Sequence, residues 1–341
     1  MEGALHLINA DNWFEKNSFK CQSFSNIKKL VELKRKNKNK ISVVIPTLNE
    51  EATIGSVIGK IKGPLMDKRK LVDEILVVDS GSTDRTKEIA EKAGAKFVYS
   101  GKILKPHGEH KGKGENLWKA LYVAEGDIIV YIDADIKNIH PRFVYGLVGP
   151  LLSNRKLSFT KAFYQRPIKV GKELRPLGGG RVTEILIRPL FNQYFPRLSG
   201  FIQPLSGEFA GRRNVFERIP FYTGYGVDSA MLIDIQRKFG LRCMAQVDLI
   251  RRIHRNQTLE ALSKMAFGIL GVFSRRANSM GKLILMGKTK KTYRTITSSK
   301  EGRRIKYSMK KIQIKDVQRP PMITVREYRK KFKKDPAWVY V

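Results

Sequence analysis

Cysteine is scarce in this chain. The 341 residues include two cysteines, Cys21 and Cys243, which lie far apart in the sequence. This spacing excludes a disulfide framework and a zinc site built from cysteines, and it fits a reducing compartment. The first residues, MEGALHLINADNWF, also lack the basic segment and apolar segment of a secretory signal. The sequence therefore predicts a cytoplasmic protein.

Long apolar segments and acidic residues are also few. Apolar stretches such as Ala266 to Phe273 are far too short to cross a bilayer, so no membrane span is expected. Against 66 Lys and Arg there are 31 Asp and Glu, which leaves a net charge of +35. Such a charge attracts nucleic acid, anionic lipid or small phosphorylated metabolites. Nucleic acid is not expected as the main partner because no basic–aromatic binding module of a known type is visible.

Strand and helix patterns alternate from Ile41 onwards. Buried strands are expected at Ile41–Leu48, Glu74–Asp79, Lys96–Tyr99, Asp127–Asp133, Leu157–Tyr164 and Cys243–Leu249. Helices are expected after Asn49, from Ser82 to Gly94, at Gly114–Gly126, near Val182, at Val227–Phe239 and at Thr258–Ser279. This alternation predicts an α/β fold with a mostly parallel, Rossmann-like sheet flanked by helices. Such sheets bind nucleotides at the carboxyl ends of their strands.

Two carboxylates, Asp133 and Asp135, follow one of the predicted buried strands. They can converge if the chain turns as it leaves the strand. Their hard oxygen atoms would suit Mg²⁺ or Mn²⁺ that bridges phosphates. A bare Asp-x-Asp is also common in ordinary surface loops, so both interpretations stay open at this point.

Glycines surround two candidate anion sites. Lys113 lies between Gly112 and Gly114 at the start of a predicted helix, although Gly114 stands where a Walker loop needs Ser or Thr. A flexible basic turn is the alternative there. In the second site, Gly178–Gly180 precede Arg181 and Thr183, which could bind a small phosphate or carboxylate. A tight interdomain turn would explain that pattern equally well.

Two single residues complete the candidates. His254 lies between arginines, which would keep its imidazole neutral, as a metal ligand must be. A structural histidine is the alternative. Asp228 follows a glycine turn at a helix start, where it is either a first-turn acid or an acid directed at a sugar or acceptor hydroxyl.

The order of several segments resembles GT-A glycosyltransferases. VVIPTLNEEATI, VVDSGSTDRT, GKGENLWKAL and VYIDADI resemble the nucleotide-sugar half of that fold. SFTKAFYQRP, GGGRVTE, QPLSGEFAGRR, PFYTGYGVD and AQVDLIRRIHRNQTLEALSKMA resemble the glucosyl-3-phosphoglycerate synthases of family GT81. The resemblance spans Ile41 to about Ser279 and leaves the basic leader and tail outside.

The resemblance implies roles on the donor side. The residues that would bind the nucleotide sugar are Pro46, Leu48, Glu50, Ser80, Lys113, Asp133 and Ala134. Asp135 and His254 would ligate Mg²⁺ or Mn²⁺.

The resemblance also implies roles on the acceptor side. The residues that would bind 3-phosphoglycerate are Gly180, Arg181, Thr183 and Asn256. Asp228 and the backbone carbonyl of Leu205 would lie at the reacting centre. Family members often carry Glu where this chain has the shorter Asp228. The family retains anomeric configuration, and since no second carboxylate is evidently dedicated as a nucleophile, we expect front-face attack by the acceptor hydroxyl.

Four segments follow from this comparison: a basic leader (1–40), a nucleotide-sugar half (41–165), an acceptor half (166–281) and a basic C-terminal extension (282–341), expected to be an appendage. The expected enzyme is a retaining glucosyltransferase that moves glucose from UDP-glucose or another nucleotide-glucose to 3-phosphoglycerate. Mannosyl-3-phosphoglycerate synthase or another GT-A transferase is the alternative, and a nucleic-acid-binding protein is a distant one. Family resemblance suggests a homodimer.

Overall fold

The computed structural model describes residues 10–170, 173–175, 179–253, 257–301 and 304–334. Its strands in these ranges are β1 (Ser18–Lys20), β2 (Ile41–Thr47), β3 (Glu74–Asp79), β4 (Lys96–Tyr99), β5 (Ile128–Tyr131), β6 (Phe159–Gln165), β7 (Ile168–Val170), β8 (Glu173–Arg175), β9 (Phe209–Arg212), β10 (Phe221–Tyr222), β11 (Met244–Arg251), β12 (Thr292–Glu301), β13 (Arg304–Gln313) and β14 (Gln318–Arg319).

Helices connect and cover these strands. They are α1 (Ala10–Asn17), α2 (Ile27–Lys36), α3 (Ile54–Ile61), α4 (Thr86–Lys92), α5 (Lys113–Val123), α6 (Arg142–Ser153), α7 (Arg188–Tyr194), α8 (Arg213–Phe216), α9 (Val227–Phe239), α10 (Leu259–Ser279) and α11 (Arg326–Phe332). Two π-helical turns lie at Lys62–Asp67 and Thr183–Ile187. None of these helices combines the length and the apolar character that a membrane crossing requires.

The central sheet has eight strands in the order β1-β11-β6-β9-β5-β2-β3-β4. Neighbours are parallel except at β9, which runs antiparallel to both β5 and β6. Successive residues of β2 enter opposite cores: Val43 and Ile45 pack on one face, and Val44 packs on the other. A sheet buried on both faces explains why these strands are continuously apolar. The predicted mostly parallel sheet is confirmed.

The N-terminal segment is part of this sheet. Ser18 to Lys20 pair with Gln246 to Asp248 at the sheet edge. Trp13 is 1% exposed, and its indole N–H donates to the carbonyl of Met244 at 2.9 Å. The sequence expectation of a polar leader before the core missed this contribution because the paired residues lie more than 220 positions apart.

The C-terminal segment is also packed into the molecule, so the expected appendage is wrong in this part. Met322 and Tyr328 are fully buried, and β14 pairs with β10. Arg319 donates to both carboxylate oxygens of Glu115, at 2.6 and 2.8 Å, and lies over the ring of Trp118. The abundant surface lysines mask this short apolar pattern in the sequence. The four-segment division itself stays a prediction.

Candidate active site

Two adjoining pockets open at the carboxyl ends of β2, β3 and β5. Pocket A has a volume of about 370 Å³. Its lining residues are Pro46, Thr47, Leu48, Glu50, Ser80, Gly112, Lys113, Asn116, Asp133, Ala134, Asp135, Gly224, Tyr225 and Gln257. All seven residues that the sequence analysis assigned to the donor therefore line one pocket.

Pocket B, of about 150 Å³, lies beside it. Its lining residues are Lys113, Asp133, Asp135, Tyr164, Arg166, Gly179, Gly180, Arg181, Val182, Thr183, Leu205, Gly207, Tyr225, Asp228, Arg252, Gln257, Leu262, Met265 and Ile269. Gly180, Arg181 and Thr183, expected on the acceptor side, thus share a pocket with Leu205 and Asp228. Lys113, Asp133 and Asp135 belong to both pockets.

A chain of alternating charges lies between the pockets. The ammonium of Lys113 lies 2.9 Å from Asp133 Oδ1 and 3.8 Å from Asp228 Oδ2. Arg252 donates to Asp133 at 3.0 Å and to Asp135 at 2.8 Å, and its Nε lies 3.1 Å from Glu208 Oε1. Each buried charge is therefore matched by an opposite charge, as a largely dehydrated cluster requires.

The two aspartates of the cluster differ in pKa. Burial alone would raise the pKa of Asp133, but Lys113 and Arg252 hold it at about 2. Burial and the neighbouring Asp133 raise the pKa of Asp135 above its ordinary value, with Arg252 acting against them. Asp135 is also the more exposed side chain, at 35% against 23% for Asp133. Its carboxylate is therefore the more accessible of the two to a further cation.

Local packing fixes Lys113 at the start of α5. A Cβ on Gly114 would lie 1.7 Å from the carbonyl oxygen of Tyr222, and one on Gly112 would lie 2.4 Å from that of Thr223. The φ of Gly112 is +137°, which other residues rarely adopt. Close approach of the turn after β10 therefore requires these glycines. The sequence analysis had related them either to a phosphate or to a flexible basic turn.

Asp133 is held in a similar way. A Cβ on Gly207 would lie 1.9 Å from Asp133 Oδ2, so no larger residue fits beneath this carboxylate. Gly207 follows a turn in which the amide of Ser206 donates to the carbonyl of Gln203. The same turn places Leu205 at pocket B.

The turn after β3 supports the far wall of pocket A. The Asp79 carboxylate accepts from the amides of Gly81 and Ser82, at 2.8 and 2.7 Å. Ser80 donates to Asn116 on α5 at 3.0 Å. Glu50 completes this wall, and its burial, with Asp135 nearby, raises its pKa to about 7.

Arg181 and Thr183 lie at the far side of pocket B. Thr183 is 2% exposed at the start of a π-helical turn, and Gly180 before it has φ +86°. The Arg181 guanidinium donates to the carbonyl of Gln257 at 3.0 Å. Arg166 lines the same pocket, and its carbonyl accepts from the amide of Gly179. Three groups that can bind an anion therefore meet here: a guanidinium, a hydroxyl and a glycine turn.

Three predicted residues, Gly178, His254 and Asn256, lie outside the described residues. The chain on either side of 254–256 lies beside the site. The amide of Ile253 donates to Asn138 at 2.7 Å, the carbonyl of Ile253 accepts from Lys137, and Gln257 lines both pockets. Within the described ranges, no three His, Cys, Asp or Glu residues form a metal-binding group. The assignment of Asp135 and His254 as metal ligands stays a prediction.

Family comparison agrees with this arrangement. The family model described as "Glycosyl transferase family 2" matches residues 42–222, more than half of the chain. The chain belongs to this family. The predicted GT-A fold and the predicted glycosyltransferase class are confirmed.

Individual members of the family are close in sequence and structure. The glucosyl-3-phosphoglycerate synthase of Petrotoga mobilis is 53% identical over 321 residues, which is 94% of this chain and 97% of that protein. The crystal structure of mannosyl-3-phosphoglycerate synthase from Rubrobacter xylanophilus has a TM-score of 0.84 at 36% identity, covering 94% of this chain and 99% of that chain.

A third comparison comes from Mycobacterium tuberculosis. The crystal structure of its glucosyl-3-phosphoglycerate synthase with Mn²⁺, UDP-glucose and phosphoglyceric acid has a TM-score of 0.76 at 38% identity, covering 91% of this chain and 99% of that chain. The resemblance to glucosyl-3-phosphoglycerate synthases is thus confirmed. With the Petrotoga protein the alignment extends beyond the expected limits, Ile41 to about Ser279, and includes 321 residues.

Sequence analysis missed three members of the glycosyltransferase's charge cluster: Lys161, Glu208 and Arg252. Their side chains are 1%, 0% and 4% exposed. A charged residue among the apolar residues of a predicted strand, as in SFTKAFY, is the signal that could have identified Lys161. Glu208 lies just before β9 and had no such signal. Arg252 could not be separated by pattern from the arginines beside it.

Proposed function

We propose that this glycosyltransferase transfers glucose from UDP-glucose, or another nucleotide-glucose, to 3-phosphoglycerate and forms glucosyl-3-phosphoglycerate. The observation that carries the proposal is the meeting of pockets A and B at Lys113, Asp133 and Asp135. One pocket has the family's donor residues, and the other has an anion-binding set around Arg181. The Petrotoga relative, at 53% identity, bears the name of this activity.

On the donor side, Lys113 supplies a fixed positive charge between the pockets. Sugar transfer leaves negative charge on the departing diphosphate, which a preorganised ammonium stabilises without reorganisation. Asp133 holds this ammonium at 2.9 Å, and Arg252 in turn holds Asp133 at 3.0 Å. Lys113 therefore stabilises the leaving group and orients it toward pocket B.

A divalent cation fits the carboxylates of this site. The partial exposure of Asp135 leaves its carboxylate accessible at pocket A, and oxygen ligands suit Mg²⁺ or Mn²⁺. Asp135, with His254, would hold the ion, and Asp133 would lie beside it. When bound, it supplies Lewis-acid stabilisation of the diphosphate's charge.

On the acceptor side, Arg181, Thr183 and Gly180 bind the phosphate of 3-phosphoglycerate. A guanidinium forms charge-assisted, bidentate contacts with phosphate, and the buried Thr183 hydroxyl adds directional specificity. Asn256 is the fourth proposed contact. The acceptor hydroxyl then points toward Leu205 and Asp228, which also line pocket B.

Transfer proceeds with retention by front-face attack. The described carboxylates that line pocket B, Asp133, Asp135 and Asp228, are each ion-paired with Lys or Arg. A carboxylate held in an ion pair is a poor nucleophile, so the acceptor hydroxyl attacks on the leaving-group side and the departing phosphate takes its proton. Mass spectrometry of enzyme trapped with a slow donor tests this: a glucose adduct on Asp228 would contradict it.

The deciding assay combines the purified protein, Mg²⁺, 3-phosphoglycerate and a panel of nucleotide sugars, with the product identified by mass. We expect a glucosyl product with UDP-glucose or another nucleotide-glucose. Mannosyl transfer is the second candidate because the Rubrobacter mannosyl-3-phosphoglycerate synthase has a TM-score of 0.84. A product with GDP-mannose and none with any nucleotide-glucose would replace the first proposal by the second.

A homodimer is part of the proposal. The hairpin of β12 and β13 pairs Ile296 with Met309 and Ser298 with Tyr307, which places their side chains on one face. Ile296, Ile305, Tyr307 and Met309 are 57 to 70% exposed. A two-stranded ribbon is only marginally stable in water by itself, so a second copy that covers this exposed face would stabilise both hairpins.

Light scattering tests the dimer. Substituting Ile296→Lys and Met309→Lys should give a monomer, whereas the matched change of Thr297 and Ser308, which form the neighbouring pair, should leave the dimer intact. If the variant with lysine at positions 296 and 309 is still a dimer, the interface lies elsewhere on the protein. We also propose a cytoplasmic location, which the free thiols of Cys21 and Cys243 support.

A further inference from the structure

Lys161 is a charged side chain within the central sheet. It lies on β6 beside the antiparallel strand β9, and it is 1% exposed. Its ammonium donates to Asp228 Oδ1 at 2.8 Å and lies 4.6 Å from the centre of the Phe209 ring. It does not line pocket A or pocket B. A direct contact between Lys161 and a substrate is therefore not its role.

Burying this ammonium is unfavourable unless a carboxylate compensates it. Burial lowers the pKa of Lys161, and Asp228 is the main group acting in the opposite direction. A hydrophobic residue of similar size would fill the position at less cost to stability. The lysine therefore needs an explanation beyond packing, and the bond that its ammonium donates to Asp228 supplies one.

The two oxygens of Asp228 have different surroundings. Oδ1 accepts from Lys161, which lies behind it in the sheet, at 2.8 Å. Oδ2 lies 3.8 Å from Lys113, on the side of the two pockets. Asp228 itself is in the first turn of α9, and its side chain is 6% exposed, at pocket B. Oδ1 is thus bound by Lys161 of the sheet, and Oδ2 lies on the side of the two pockets.

We propose that Lys161 is a positioning residue that fixes the Asp228 carboxylate so that Oδ2 can accept a hydroxyl of the transferred sugar or of the acceptor beside Lys113. The inference rests on the proposed glycosyl transfer. It extends the reacting centre one residue into the sheet, to a group that the family resemblance does not assign.

A double-mutant cycle tests the inference with Lys161→Met, Asp228→Asn and the combined variant. We expect Lys161→Met to lower kcat by about 100-fold, the effect of a misplacement of about 1 Å. The KM values for donor and acceptor should change little, because Lys161 touches neither pocket. The combined variant should be no slower than the slower single variant, since both substitutions disable one carboxylate. Losses in kcat that multiply would overturn the proposal.

Two further variants separate positioning from stability. Lys119 is another fully buried lysine, which donates to the carbonyls of Ser100 and Gly108 away from the pockets. Lys119→Met should lower the melting temperature and leave kcat unchanged. Lys161→Gln retains a donor toward Asp228 and should recover part of the kcat lost in Lys161→Met, whatever its melting temperature.

The outcomes distinguish this inference from the proposed function. If the wild-type protein forms no product with any donor, the proposed function fails. If it is active and Lys161→Met retains kcat within threefold, the positioning role fails alone. If Lys161→Met does not fold, the combined variant can be measured in its place, because it leaves no unpaired buried charge. Activity of the combined variant near that of the wild type would also overturn the positioning role of Lys161.

Discussion

At the scale of single residues, Arg181 is the acceptor contact whose removal is most informative. Arg181→Ala removes a charge-assisted contact worth about 1.5–3 kcal/mol, which corresponds to a rise in acceptor KM of about 10- to 100-fold. The donor KM should stay within about twofold, because Arg181 lines pocket B and not pocket A. Initial-rate kinetics with each substrate varied measures both constants. An equal rise in both would contradict the assignment.

Glu50 gives a pH-dependent prediction for the metal-free protein. Its pKa is about 7 in the folded chain, against an ordinary value of 4.5, mainly because of burial. Between these pH values the folded state binds a proton that the unfolded chain has released. The stability contribution of this group is therefore complete below pH 4.5 and is lost as the pH rises through 7.

Glu50→Gln should remove this contribution to the pH dependence. Denaturant unfolding in chelator across pH 5 to 8 should show the wild type losing stability relative to the variant as the pH increases. Glu51→Gln, an exposed change at the next position, controls for the substitution itself. A constant difference between wild type and Glu50→Gln across this range would contradict the raised pKa.

The charge cluster shows what can be predicted at this scale. Lys113, Asp133 and Asp135 were identified because each stands in a short motif of the resemblance. Arg252 is 119 positions from Asp133, and Lys161 is 67 positions from Asp228. No local pattern records such pairs, because they depend on which strands become neighbours. Only the fold shows that these charges balance one another.

At the scale of elements, the C-terminal segment braces α5. Arg319 holds Glu115 in the first turn of this helix, two residues after Lys113, and both side chains are buried. Arg319→Met leaves Glu115 with the weaker contact to Lys119 at 3.6 Å. Breaking a buried ion pair lowers the free energy of unfolding by about 3–5 kcal/mol. Because Glu115 keeps its contact to Lys119, we expect a loss near the lower end of this range.

We therefore expect Arg319→Met to lower the free energy of unfolding by about 3 kcal/mol and to raise the donor KM, because α5 carries Lys113. Denaturant unfolding and initial rates measure the two effects. Adding Glu115→Gln should restore part of the stability, since no unpaired buried charge remains. The exposed change Lys330→Ala should have little effect, and a similar loss there would argue against a specific brace.

Strands were predictable from the sequence where their residues form a continuous apolar run. Glu74–Asp79 has the expected bounds as β3, because a parallel strand buried on both faces needs a continuous apolar run. Lys96–Tyr99 also has the expected bounds as β4, at the edge of the sheet, where its run of Phe, Val and Tyr is partly buried. β9, a four-residue strand containing glycine, gave no such signal. β12 and β13 were missed because Lys, Ser and Thr outnumber their apolar residues and obscure the alternation.

At the scale of the whole molecule, the net charge of +35 is mostly a surface property. The β13 side of the hairpin is exposed along almost its whole length, and its basic residues are far more numerous than its acids. Lys34, in contrast, is buried and bonded to Asp73 at 2.7 Å. A screening length of about 8 Å at physiological salt means that distant surface charges contribute little at the pockets.

Salt dependence should therefore follow local rather than total charge. The acceptor is a small anion, so its KM should rise as KCl increases from about 20 mM to about 500 mM, because the field of the lysines and arginines near pocket B is screened. Neutralising Lys300 and Arg304 at the far end of the hairpin removes two charges, and it should leave both the KM and its salt dependence unchanged. A lower salt dependence in that variant would show that the whole molecular field attracts the acceptor, and the basic hairpin would then be part of the enzyme's substrate capture.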